Sequence, residues 1–348
     1  MPKIIFKMSY MKGGCAPYNY VAYIATREGV DKDINIIMGN GAPTKKQVQF
    51  ITQFISDYSN AIDSFEYEDY INNPTVTTAS LFISAAIEQT PGLFPDKGVY
   101  VNYIATRPKA YKISDHGLFD PGPEVVNLNR VKEELKKHSG NVWTPIISLR
   151  REDADRLGYN NAEIFRTLLC QHQMEFAENF HIDPDNLRWY AAFHDKDTNP
   201  HVHMIVYSIQ PKEGYISQDE IETLRSALAR DIFKQELYQL YDEKTFVREK
   251  ISDEVKQKIS ELVQKIKQND YSESVICDKL LKLSDELKSV KGKKVYGYLR
   301  PNIKSMVDEI VGDMAADESV VELYKTWCEI QNKIIGTYKS NFLEHSPL

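Results

Sequence analysis

The stretch HDKDTNPHVHMIV, residues 194–206, holds three of the chain's eight histidines. Read as two strands joined by a short Asp/Thr/Asn/Pro turn, it places His201 and His203 on one side of a strand. Val202, Met204 and Val206 then point into a core. His194 ends the preceding strand, where a third imidazole completes a facial set. Three neutral imidazoles that leave positions open describe a catalytic metal site rather than a closed structural one. Imidazole alone does not select the ion, and Zn, Mn, Fe, Ni and Co all stay open. Asp195 is assigned to turn chemistry. Asp197 is assigned to orienting a ligand histidine or accepting a proton.

A second feature is an internal repeat. YVAYIATR (20–27) recurs as YVNYIATR (100–107), identical at seven of eight positions and offset by 80. Each copy sets two tyrosines one helical turn apart, with an arginine four residues after the second. A phenol, with a pKa of about 10, is a weak nucleophile at neutral pH. Held in line with a phosphodiester polarised by a divalent cation, it forms a covalent phosphotyrosine. That ester keeps the energy of the broken bond, so the chemistry suits nicking and rejoining a strand.

At these residues the chain resembles the HUH endonucleases, in particular conjugative relaxases of the MobP type. The His motif carries the resemblance, together with PIISLR ending a strand, SDHGLF, and NVWTPIISLRREDADRLGYNNAE. The last two are similar to the branch found on mobile elements of Gram-positive bacteria. The resemblance covers residues 1–215. It implies an antiparallel HUH sheet flanked by helices, with His194, His201 and His203 as ligands of Mn2+ or Mg2+ (Zn2+ the alternative) and Asp197 as the acid of the motif. It places Ser148 at the DNA backbone near the cut. The family nucleophile is a tyrosine in a short helix after the first strand. Tyr23 follows that strand, whereas Tyr103 precedes AYKISDHGLF, which normally follows the nucleophile helix; Tyr23 is the first choice and Tyr103 the second, with Tyr20 and Tyr100 behind them.

The implied activity is a site- and strand-specific nick at an origin of transfer, through a 5′-phosphotyrosine adduct, for conjugative mobilization. Accessory relaxosome proteins and a coupling ATPase are implied only by the resemblance. The alternatives are a rolling-circle replication initiator and a noncatalytic, metal-stabilised DNA-binding protein. An oxygenase built on an HxH pair ranks below them, because its triad needs a carboxylate ligand and leaves the tyrosine repeat unexplained.

The surrounding elements must position these groups. Residues 3–10 read as a strand, and 44–90 as helices that include Thr75 to Gln89. Glu124 to His138 is an amphipathic helix, 142–149 a strand and Asn161 to Phe180 one long helix. Ser217 with Glu220 caps a helix running to about Asp242. Beyond 250 nearly everything is helical, with a break from Gly292 to Pro301. The expected class is therefore α+β: a nickase domain at 1–215 with a helical insertion at about 30–98, then a helical extension at 216–348 that binds DNA or a partner. The end in FLEHSPL, without a final element, is what a longer protein cut short would show.

Composition bounds the partners. The net charge of −7 and pI of about 5.7 count against a nucleic-acid binder that uses its whole surface. Locally, 288–304 carries six basic residues, including Lys293 and Lys294, with Tyr296 and Tyr298 between them and no acid. Arg27, Arg107, Arg150 and Arg151 are candidate phosphate contacts, because guanidinium forks pair with phosphate oxygens. Four scattered cysteines, no secretory leader and no apolar run of spanning length point to the cytoplasm.

Overall fold

The computed structural model describes residues 3–11, 39–94, 96–107, 109–268, 275–338 and 342–346. The chain divides into two compact units, Met1–Lys234 with Thr337–Ser340, and Gln235–Gly336 with Asn341–Leu348. The first repeat copy, with Tyr20, Tyr23 and Arg27, lies outside the described residues.

In the first unit, β1 (Ile5–Lys7) is followed by α1 (Lys45–Asp57), α2 (Phe65–Asn72) and α3 (Val76–Glu88). Thr44 and Thr75 open α1 and α3 with capping boxes, and the three helices close on Ile51, Phe54, Ala79, Phe82 and Ile83. Asp96 caps α4 (Lys97–Thr106), the helix of the second repeat copy. Then come β2 (Leu118–Phe119), α5 (Leu128–Lys137), β3 (Val142–Trp143), β4 (Ile146–Ser148), α6 (Arg151–Leu157), α7 (Ala162–Gln171) and α8 (Gln173–Asn179). The hairpin β5 (Leu187–His194) and β6 (His201–Ser208) precedes α9 (Gln218–Ile232), which Ser217 and Glu220 cap as the sequence predicts.

Two expected long helices are each broken. The 161–180 helix parts at His172, whose ring contacts Glu175 and, at 3.0 Å, Asp231. The helix from Ser217 stops at Phe233, fully buried, and α10 (Lys234–Lys267) starts anew. The short α6 was not anticipated; acids in its first turn and a left-handed Gly158 (φ 80°) delimit it.

Among the described residues six strands form one antiparallel sheet in the order β1-β4-β6-β5-β2, with β3 also on β6. Its register decides what meets what. One row across the sheet runs Ile5, Ser148, His201, His194; the next same-facing row runs Lys7, Ile146, His203, Ala192, Leu118. All three histidines, Ser148 and Lys7 therefore share one face. Tyr100, Val101, Ile104 and Ala105 of α4 and Val131 and Leu135 of α5 pack onto it. On the other face Phe193 stacks on Phe165 of α7 at 5.2 Å.

The second unit holds α10, α11 (Val275–Lys288), α12 (Pro301–Ala315) and α13 (Glu318–Tyr338). Lys279 joins α11 to α12 through Asp313 at 2.6 Å, and Lys258 reaches Asp317 at 2.7 Å. Among the described residues no helix is long and apolar enough to cross a membrane.

Lys7 is almost wholly buried, and its ammonium donates to Gln89 Oε1 at 3.3 Å. Burial pulls its pKa down to about 8, against the opposing pull of Asp63 and Glu66. Below about pH 8 both folded and unfolded states carry the proton. Between about pH 8 and the ordinary 10.5 only the unfolded state does, so stability rises with pH across that window, by up to about 3 kcal/mol. Lys7→Met is expected to stabilise the protein at pH 7 by about 1–3 kcal/mol and to abolish that rise. Urea denaturation at pH 7 and pH 10 checks it; an unchanged pH slope in the variant would refute the assignment.

Candidate metal centre

His201 and His203 project together because they are two apart on β6, and His194 joins them because β5 pairs it directly with His201. The ring centroids lie 4.7–5.2 Å apart, and all three side chains are buried. Each ring is held from behind. His194 Nε2–H donates to the Ile104 carbonyl at 2.8 Å, and His201 Nδ1–H to the Asn199 carbonyl at 2.9 Å. His203 Nδ1 lies 3.4 Å from the Tyr100 hydroxyl. The opposite nitrogens face a common point, as metal-ligand histidines fixed by oxygen partners do.

A carboxylate stands at that point. Glu88, the last residue of α3, sets Oε1 2.9 Å from His194 Nδ1, 3.0 Å from His203 Nε2 and 3.3 Å from His201 Nε2. Its Oε2 accepts from Lys196 Nζ at 2.7 Å, and Arg107 pairs with Oε1. Burial alone would raise the Glu88 pKa; the charges of Arg107 and then Lys196 hold it well below the usual carboxylate range. Burial pushes His194 down to about 4 and His203 well below its ordinary value.

These states test the fit to a cation. With its other nitrogen donating to a carbonyl, neutral His194 turns a lone pair toward a carboxylate oxygen. Acceptor facing acceptor is unfavourable unless a cation lies between. The lowered basicity of His194 and His203 disfavours a proton on either at neutral pH, and four ligand atoms within 4.8 Å of one another suit a divalent metal.

Sequence reasoning missed Glu88. The available signal was its isolation, since it is the sole charged residue from Pro74 to Phe94. Asp197, chosen from sequence, has an exposed side chain facing Lys109 at 3.4 Å and is not brought to the histidines. Asp195 meets Arg151, in keeping with a turn role.

The second repeat copy is brought to the centre. It supplies Tyr100, the Ile104 carbonyl and Arg107, while half-buried Tyr103 lies under the Arg107 guanidinium at 5.2 Å and against Phe94. Burial, then Glu88, raises the Tyr100 phenol far above its ordinary value. Ser148 sits buried beside His201. Arg150 is committed to Asp69 at 2.8 Å, to Glu68 and to the face of Phe65. Lys293 and Lys294 are exposed in the second unit, before the 3-10 turn at Tyr296–Tyr298. The SDHGLF motif has a structural use: His116 accepts from Leu118 N–H at 3.1 Å and donates to the Val126 carbonyl at 2.9 Å, fixing β2.

Tyr100→Phe keeps the packing and removes the hydroxyl behind His203. It is expected to weaken Mn2+ binding about tenfold with little change in melting temperature. Titration by electron paramagnetic resonance of free Mn2+ measures this, and unaltered affinity would deny Tyr100 an orienting role.

Among known proteins, a family model described as MobL relaxases matches residues 1–345. No curated protein and no solved structure matches the chain.

Proposed function

The chain belongs to the MobL relaxase family, a membership that implies a DNA-nicking enzyme acting at an origin of transfer, and from that premise we propose that it cuts one strand there by attack of a tyrosine on a phosphodiester at the His194, His201 and His203 centre. The observation that carries this reading is the convergence of three buried, oxygen-backed imidazoles on one point next to the repeat helix. A divalent cation bound there, Mn2+ or Mg2+ with Zn2+ the alternative, would polarise the phosphate and stabilise the charge that develops.

The chain's own residues supply the rest. Arg107 and Lys196 offer cationic donors to the phosphate oxygens. Ser148, buried in the His201 row, is assigned the DNA backbone near the cut. The repeat provides the phenol: α4 supports Tyr103, because its neighbours on that helix already touch the histidines, while Tyr23 is the counterpart in the first copy. The attack leaves a 5′-phosphotyrosine and a free 3′-hydroxyl, and reversal rejoins the strand. Glu88, rather than exposed Asp197, is the acid this reading places at the centre.

Membership of the HUH superfamily, in a MobP-like branch of Gram-positive mobile elements, is part of the proposal. So are residues 1–215 as the nickase region with an insertion at about 30–98, and 216–348 as an extension with Lys293 and Lys294 toward DNA. Reaction in the cytoplasm, with accessory relaxosome proteins and a coupling ATPase, completes it. The test is cleavage of a labelled single-stranded oligonucleotide from the transfer region of the chain's own element, with Mn2+ or Mg2+. One discrete cut that stops with chelator supports the reading. Binding of that oligonucleotide without cleavage under any divalent metal favours a noncatalytic DNA-binding protein.

A further inference from the structure

The centre that has to receive a phosphate already holds an anion. Glu88 brings two carboxylate oxygens to three imidazole nitrogens, to Arg107 and to Lys196, and it is fully buried there. The two non-bridging oxygens of a phosphodiester carry the same single negative charge and pair with the same cationic donors. Exchanging one for the other leaves the charge of the centre unchanged. It also keeps Arg107 and Lys196 paired, and a buried cation without a partner is costly.

Position favours exchange over permanence. The histidines and Lys196 come from the β5–β6 hairpin, whereas Glu88 comes from the end of α3, among the helices between the two repeat copies. Its side chain reaches the centre across three rotatable bonds. The chain then leaves through Gln89 and Thr90 into a 3-10 turn at Pro91–Leu93.

We propose that Glu88 occupies the seat of the scissile phosphate, and that an incoming phosphodiester displaces its carboxylate and takes over Arg107 and Lys196. The purpose of the exchange rests on the reading above, but the seat itself does not require a metal. Glu88 thereby sets specificity. DNA must spend binding energy gained elsewhere along the strand to expel it, so a strand with poor contacts does not reach the reacting position.

The experiment compares wild type, Glu88→Gln, Lys196→Ala and the double variant. A fluorescein-labelled oligothymidylate is followed by anisotropy, without metal and with saturating Mn2+, and free Mn2+ is followed by electron paramagnetic resonance. Circular dichroism checks the fold. Glu88→Gln is expected to bind the oligothymidylate about tenfold tighter in both conditions, and adding Lys196→Ala to remove most of that gain. Equal or weaker binding by folded Glu88→Gln overturns the proposal and makes Glu88 a fixed ligand. Should Glu88→Gln not fold, Glu88→Asp, one methylene shorter, is expected to bind tighter than wild type, and unchanged binding then overturns the proposal. Failure of Mn2+ to bind wild type refutes the metal reading alone, because the metal-free comparison still judges the seat.

Discussion

Replacing His203 by alanine is expected to slow strand nicking by about a thousandfold or more, while His116→Ala leaves the metal centre in place. His203 aims Nε2 at the point where His194 and His201 also converge. Losing a partner behind a metal ligand costs 10–100-fold in affinity or activity by itself, and losing the ligand costs more. A divalent ion that stabilises charge in the transition state contributes several kcal/mol, and each 1.36 kcal/mol is about tenfold in rate. Among the described residues the His116 ring, by contrast, bonds Leu118 N–H and the Val126 carbonyl, so its loss should lower stability rather than metal binding. Cleavage of origin oligonucleotide, run beside Mn2+ titration and thermal melts, separates the two. Nicking that persists in His203→Ala, or under chelator, would contradict the assignment.

The second large effect is on stability. Glu88→Ala is expected to destabilise the fold by about 3–5 kcal/mol, because Arg107 and Lys196 lose their shared partner in a buried place. The sign with pH follows from the depressed carboxylate. Its contribution is complete above the ordinary value of 4.5 and drains as the pH falls below it. Wild type and variant should therefore differ most at neutral pH and converge in acid. Chemical denaturation at pH 7 and at pH 3 measures both points. A neutral or stabilising Glu88→Ala at pH 7 would show that the ion pairs merely offset their desolvation.

Much of the centre was legible because strand chemistry is local. A period of two puts His201 and His203 on one face, and an eight-residue strand before a short turn brings His194 opposite His201. The repeat announced a helix with Tyr and Arg on it, but its arrival at the His face depends on packing that no short window encodes. Glu88 was not legible for the same reason. It lies 106 residues before His194, and a helix-terminal acid normally faces water. Asp197 drew attention through proximity in sequence, yet the turn aims it outward to Lys109. Helix ends were the weakest inference: His172 and Phe233 break continuous apolar patterns because each is fixed by partners or burial outside its own segment.

The central claim joins a tyrosine of the repeat to the His centre, and mapping the covalent adduct tests it most directly. The full chain is incubated with its own element's origin oligonucleotide and Mn2+, digested, and the nucleotide-bearing peptide identified by mass spectrometry. The predicted result is an adduct on Tyr103 or its repeat counterpart Tyr23, lost with chelator and lost in His201→Ala. Cleavage that proceeds with the nucleotide on neither tyrosine would contradict it.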